Sequence, residues 1–110
     1  MEGGLGNHRV SEELTHEAFL AQLNSEFRLH LEGRGSIEVE LCEVSALKLA
    51  PRQETFSIVF RGPTTLMLAQ RTYRLERDGT DPFELLLVPI RRDSEGIYYE
   101  AVFNRLVESA

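Results

Sequence analysis

The chain is poor in the residues that most often carry chemistry or covalent stability. It has one cysteine, Cys42, and no tryptophan in 110 residues. A lone thiol cannot close an intrachain disulfide, so packing and backbone pairing must hold the fold. Cys42 lies in an apolar stretch, which favours a packed thiol over a reactive one. The three histidines, His8, His16 and His30, show no ligand spacing, and with one cysteine they offer no donor set for structural zinc. No apolar run approaches the ~20 residues of a membrane helix, so membrane insertion is not expected. The first ten residues lack the basic and apolar regions of a signal peptide. Synthesis in the cytoplasm is the expectation that follows, with later incorporation into an extracellular or virion-like assembly left open. An excess of basic charge is also missing. Net charge is −6, with a balance of −5 over residues 1–50 and −1 over 51–110. Neither half suits a nucleic-acid backbone, and no nucleic-acid partner is expected. No nucleophile stands beside a base and no glycine loop could cradle a phosphate, so the expectation is a non-enzyme without cofactors.

What is present is strand pattern. The length fits one domain with a modest core. Residues 1–13 read as a flexible leader and 14–107 as a single β-rich domain. Leu14–Leu23 reads as a short helix with Thr15 as N-cap, Glu17 in its first turn and Leu14 and Phe19 in the staple positions. Phe19, Leu20 and Leu23 make its expected apolar face, and Asn24–Ser25 its end. Phe27–Glu32 alternates cleanly and reads as a half-buried strand. Ile37–Leu47 is a second strand, whose apolar phase shifts after Leu41 to Cys42, Val44 and Ala46. Such a shift predicts a β-bulge or a strand crossing between the sides of a curled sheet. Lys48–Gln53, with Pro51, reads as a loop, and Thr55–Phe60 as the third strand. Thr65–Gln70 is a short strand or a packed loop. Arg71–Arg77 is the fourth strand, and Asp78-Gly79 a strong turn dipeptide. Phe83–Ile90, apolar on both faces except for Glu84, reads as the strand most covered by neighbours, with Pro89 leaving its end unpaired on one side. Ile97–Phe103 is the sixth, with Ile97, Tyr99, Ala101 and Phe103 inward. The predicted fold is mainly β: a six-stranded antiparallel curled sheet or small barrel with one short N-terminal helix.

Few residues stand out as candidate sites. Glu38 and Glu40 share a strand face about 7 Å apart. They could serve as a carboxylate pair, but a solvated face that discourages edge pairing explains them more simply. Arg61 precedes Gly62-Pro63 at a sharp strand exit, Arg91-Arg92 opens a charged hairpin turn, and Tyr98 faces away from the core. Arg61, Arg91, Arg92 and Tyr98 form the candidate interaction surface, since arginine and tyrosine are favoured at protein interfaces. Eleven of the twelve basic residues are arginine. That bias fits an interface, and base composition explains it about as well.

Four segments carry a family resemblance: Leu14–Phe19, Phe56–Pro63, Leu87–Ile90 and Tyr99–Asn104. Through them the chain resembles a family of short bacterial proteins of unknown function, often encoded beside phage tail-collar or tail-fibre-like proteins. Ala69–Thr72 departs from the pattern, where a glycine is expected. The resemblance implies no catalytic residue. By neighbourhood alone it implies an accessory or structural piece of a phage-tail-like or surface-filament assembly. The expected function is a structural or protein-interaction module, with a protein partner or self-association. A small-ligand-binding barrel is the alternative, and an enzyme built on Glu38 and Glu40 a remote third.

Overall fold

The computed structural model describes residues 14–106. The expected leader, with His8, lies outside the described residues, as do residues 107–110.

Helix α1 runs His16–Ala21. Thr15 caps it: its backbone is extended and its hydroxyl accepts from the Ala18 N–H at 3.0 Å, while Glu17 occupies the first turn. So short a helix needs tertiary support. Phe19 supplies it, only 1% exposed, with its ring 6.3, 5.9 and 5.3 Å from those of Phe56, Phe83 and Phe103. His16 adds a hydrogen bond from Nε2 to the Ser45 carbonyl at 2.8 Å and an edge contact on Phe56. The apolar face is narrower than predicted. Leu20 and Leu23 are 48% and 38% exposed, because the helix plugs the core with a single side chain before the chain turns away at Asn24 (φ 73°).

Seven strands follow: β1 (Glu26–His30), β2 (Ser36–Val44), β3 (Lys48–Ala50), β4 (Gln53–Gly62), β5 (Arg71–Glu76), β6 (Phe83–Asp93) and β7 (Gly96–Leu106). All pairings are antiparallel, in the order β2-β1-β5-β6-β7-β4-β3, and β2 also pairs with β4. That extra pairing closes six strands into a barrel and leaves β3 as an appendage on β4. Of the two predicted forms, curled sheet or small barrel, the closed barrel is the one found, and one strand was missed. β3 falls where Pro51 suggested a loop; its three residues are exposed, and backbone pairing to Gln53–Thr55, not burial, makes it a strand.

Alternation fills the interior. Along the β4–β7 register Phe56 faces Phe103, Ile58 faces Ala101, Phe60 faces Tyr99, and Gly62 faces Ile97. Large side chains thus meet small ones at two of the four levels, which lets the layers interdigitate. Phe27, Leu29, Val39, Leu41, Tyr73, Leu75, Leu85 and Leu87 complete the same core. Phe56 and Phe103 stack at 4.7 Å beneath α1. Clefts lie at the barrel's mouths and outer surface.

The predicted irregularities are real. The β2–β4 register shifts between Leu41 and Glu43, a bulge at Cys42. After it Val44 packs against the core, while Ala46 lies beyond the strand. A second shift occurs between Pro89 and Arg91 on β6. β5 pairs with β6 only as far as Leu87, so among the described residues the end of β6 has no strand on that side, as Pro89 predicts. The expected full cover of β6 is wrong. Leu86 and Ile90 are 52% and 41% exposed, because they point to the outer side of the wall and no described element packs over them. β4 is the better-covered strand, with Val59 buried even on its outer phase.

The Thr65–Gln70 segment is a packed loop. It closes the mouth opposite α1, held by two core tyrosines. The Tyr99 hydroxyl accepts from the Leu68 N–H at 2.9 Å, and the Tyr73 hydroxyl donates to the Ala69 carbonyl at 2.7 Å.

Candidate functional site

The bulges and the register bring three of the four candidate residues into one row on the outer wall. Glu40 pairs in register with Arg61, Arg61 with Tyr98, and Tyr98 with Arg91. Four strands, β2, β4, β7 and β6, contribute one side chain each. Arg61 donates to Glu40 and lies 3.7 Å from Glu95. Arg91 donates to Glu43 at 2.5 Å and lays its guanidinium 4.2 Å over the Tyr98 ring. The Tyr98 hydroxyl donates to both Asp93 oxygens, at 3.0 and 3.2 Å. Asp93 in turn accepts from the Glu95 and Gly96 N–H groups, an Asx-type turn that fixes the β6–β7 hairpin.

These contacts set the local electrostatics. The Glu95 N–H, and then Tyr98 and Gly96, hold the Asp93 carboxyl below its ordinary range. Partial burial and then the Asp93 carboxylate push the Tyr98 phenol up. Glu40 first, for Arg61, and the Glu43 hydrogen bond first, for Arg91, keep both guanidiniums charged. The row is thus saturated internally. Tyr98 faces outward, as the pattern predicts, but it is only 7% exposed. The expectation of an exposed tyrosine anchor is therefore corrected: arginine and aspartate cover it. Arg92 does not join the row. It pairs with Ile97, one residue out of phase with Arg91, and is exposed without an ion pair among the described residues.

The other candidates are placed apart. Glu40 belongs to Arg61, whereas Glu38 is beside Glu26 and its hydrogen bond raises the Glu26 carboxyl. Cys42, half-exposed at its bulge, has its thiol pushed up by burial and then by Glu43, which disfavours the nucleophilic thiolate. His30 is held by Glu76 at 3.0 Å near the loop-closed mouth, while His16 is in the helix at the other end. Among the described residues no three His, Cys, Asp or Glu side chains are grouped to hold a metal ion. No described helix is long and apolar enough to cross a membrane.

Two features escaped the sequence reading. The first is the edge of β7. β6 pairs with β7 only from Val88↔Glu100 towards the hairpin, so Ala101–Leu106 pairs with β4 alone among the described strands. Val102 and Leu106 on this stretch are 63% and 84% exposed. The second is a cleft of about 610 Å³ at the loop-closed mouth, lined by Arg34, Arg71 and Arg74 among others. Neither depends on a local motif; each is made by where strands stop pairing or where distant turns meet.

A domain-of-unknown-function family model, DUF6916, matches residues 14–103. The chain belongs to the DUF6916 family. The match begins at the Leu14 staple and ends at Phe103, so the DUF6916 region takes in α1, the whole interior and the Arg61–Tyr98–Arg91 row. No curated protein and no solved structure matches the chain.

Proposed function

We propose that this domain is a non-enzymatic protein-interaction module that receives an extended segment of a partner protein along the edge of β7. We place it as an accessory component of a phage-tail-like or surface-filament assembly. The resemblance to proteins encoded beside tail-collar and tail-fibre-like proteins supports that setting. The edge is carried by one observation: among the described strands, Ala101–Leu106 is an open edge stretch without the protection that β3 and the end of β6 carry. β3 is three residues long and begins with Lys48. The end of β6 carries Pro89, a bulge and two arginines. Proline, bulges, shortness and charge are the usual defences against edge pairing. Ala101–Leu106 has no proline and no register shift against β4, and it presents Val102 and Leu106 to solvent. An added strand gains main-chain hydrogen bonds of about 0.5–1.5 kcal/mol each, with alternate apolar side chains giving specificity. The saturation of the outer-wall charges and the raised Cys42 thiol favour a non-enzymatic role.

The test is co-expression with the products of the adjacent genes, followed by size-exclusion chromatography with light scattering. A Val102→Lys/Leu106→Lys variant should lose co-elution. Its urea midpoint should stay close to wild type, since both positions are exposed. Wild-type protein that stays a monomer beside every neighbouring product, or a variant that co-elutes as fully as wild type, defeats the proposal.

A further inference from the structure

We propose that the loop-closed mouth of the barrel is a binding site for a short acidic peptide segment with interleaved apolar side chains. This surface shares no residue with the β7 edge and stands or falls separately from it. Its charge is the opposite of the chain's. The whole protein carries −6. Yet the mouth cleft gathers Arg34, Arg71 and Arg74, with Glu32 as the sole acid in its lining. Three separate segments of the chain supply it. Arg34 is at the tip of the β1–β2 hairpin, between Gly33 (φ 73°) and Gly35 (φ 82°), where the left-handed backbone holds it out from the barrel. Arg71 and Arg74 come from β5, and the closing loop forms the remaining wall.

Two of the three arginines here are without an ion pair. Arg28, Arg61, Arg91 and Arg105 each have a carboxylate within 4 Å, as does Arg71, whereas Arg34 and Arg74, like Arg52, Arg77 and Arg92 elsewhere, have none among the described residues. The Arg71 partner is Glu32 at 3.5 Å, whose side chain is 89% exposed. Such a pair contributes little and exchanges readily for another carboxylate. Apolar surface lies beside the charge: Met67 is 63% exposed, next to the half-buried Leu66. The wall that carries them is preformed, because Tyr99 and Tyr73 pin the loop at Leu68 and Ala69, directly after Met67. A rigid wall reduces the ordering cost of binding.

This combination selects the ligand class. Guanidinium groups pair carboxylates bidentately, and Met67 with Leu66 accepts an aliphatic side chain. The cleft is lined by three separate segments, the β1–β2 hairpin, β5 and the closing loop, and gives a chain segment contacts to both its charged and its apolar side chains. A long polyanion is disfavoured by the acidic remainder of the surface, including Glu26, Glu38 and Glu40.

The experiment is fluorescence polarisation with the full chain and a labelled hexapeptide of alternating glutamate and leucine. Controls are the same peptide with glutamine for glutamate and a single-stranded hexanucleotide. The acidic peptide should bind at least about tenfold more tightly than the glutamine form, and moderate salt should weaken it. Arg34→Ser/Arg74→Ser should lose at least about tenfold in affinity, since two charge-assisted contacts go. Both positions are exposed, and unchanged thermal melting will confirm that the variant folds. Arg105→Ser, near the α1 end, should bind as wild type does. Equal binding of the two peptides, an unaffected double variant, an equal loss in Arg105→Ser, or tighter binding of the oligonucleotide each overturns the proposal.

Discussion

Tyr99→Phe tests how the barrel mouth is held shut. Tyr99 is fully buried between β4 and β6, and its hydroxyl is the partner of the Leu68 N–H at 2.9 Å. Leu68 itself is 5% exposed, so water has little access to the amide once the hydroxyl is gone. The substitution keeps the ring and its packing. It removes one bond and leaves a buried donor unsatisfied, at about 1–3 kcal/mol. For a domain of this size each kcal/mol lowers the melting temperature by about 4–8 °C. Urea titration should show a lower midpoint with an unchanged slope, since the surface exposed on unfolding is the same. Hydrogen exchange should report the cause, with the Leu68 amide losing protection more than the amides of β4. Tyr73→Phe is the internal comparison. Tyr73 donates to the carbonyl of Ala69, an exposed residue that water can solvate instead, so the cost should stay under about 1 kcal/mol. If Tyr99→Phe unfolds within about 0.5 kcal/mol of wild type, with Leu68 protection intact, the interior tyrosine does not pin the loop.

Two further predictions concern backbone contact and charge. A Cβ on Gly96 would meet the Gly62 carbonyl oxygen at 2.4 Å, so Gly96→Ala should shift the β4 exit or the β6–β7 hairpin and lower the urea midpoint; an alanine variant as stable as wild type would show that these backbones part freely. Asp93 and Glu76 have carboxyls held below their ordinary values, by the Glu95 N–H first for Asp93 and by the Arg28 hydrogen bond first for Glu76. Their stabilisation is therefore present above the ordinary carboxylate range and lost as pH falls through their lowered values. Glu26, raised by Glu38, has the opposite sign: its contribution is present at low pH and lost as pH rises through the raised value. Glu26→Gln should accordingly melt higher than wild type at pH 7 and equal to it below about pH 4; thermal melts across that range that show no such convergence contradict the assignment.

Where burial follows a single chain's own period, the sequence was a faithful guide. Phe27 and Leu29, Phe56, Ile58 and Phe60, and Ile97, Tyr99 and Ala101 all point inward as alternation requires. Thr15 caps the helix because its hydroxyl and the Ala18 amide are neighbours along the chain. The Cys42 bulge was legible because an extra residue flips the apolar phase. Misreadings came where neighbours decide. Leu86 is apolar in a strand apolar on both sides, yet it faces solvent because a closed barrel has only one inside. β3 has no buried residue to mark it. Leu20 and Leu23 extend a helix face that stays largely exposed.

Composition and alternation by themselves determined that this is a small β domain without disulfides, held by an aromatic and aliphatic interior. Those properties follow from local sterics and from which side chains water rejects. They placed Arg61, Arg91 and Tyr98 on the outer side but could not show that the three would meet. Only the closure of β2 on β4, and the registers that follow, set Arg61 against Glu40 and Arg91 over Tyr98, turning a predicted exposed surface into a satisfied one. The same closure decided where pairing stops. Among the described strands it left the backbone of Ala101–Leu106 without a second partner, and it brought Arg34, Arg71 and Arg74 to one mouth. Edges and clefts depend on pairings between residues far apart in the chain, and no local period encodes them.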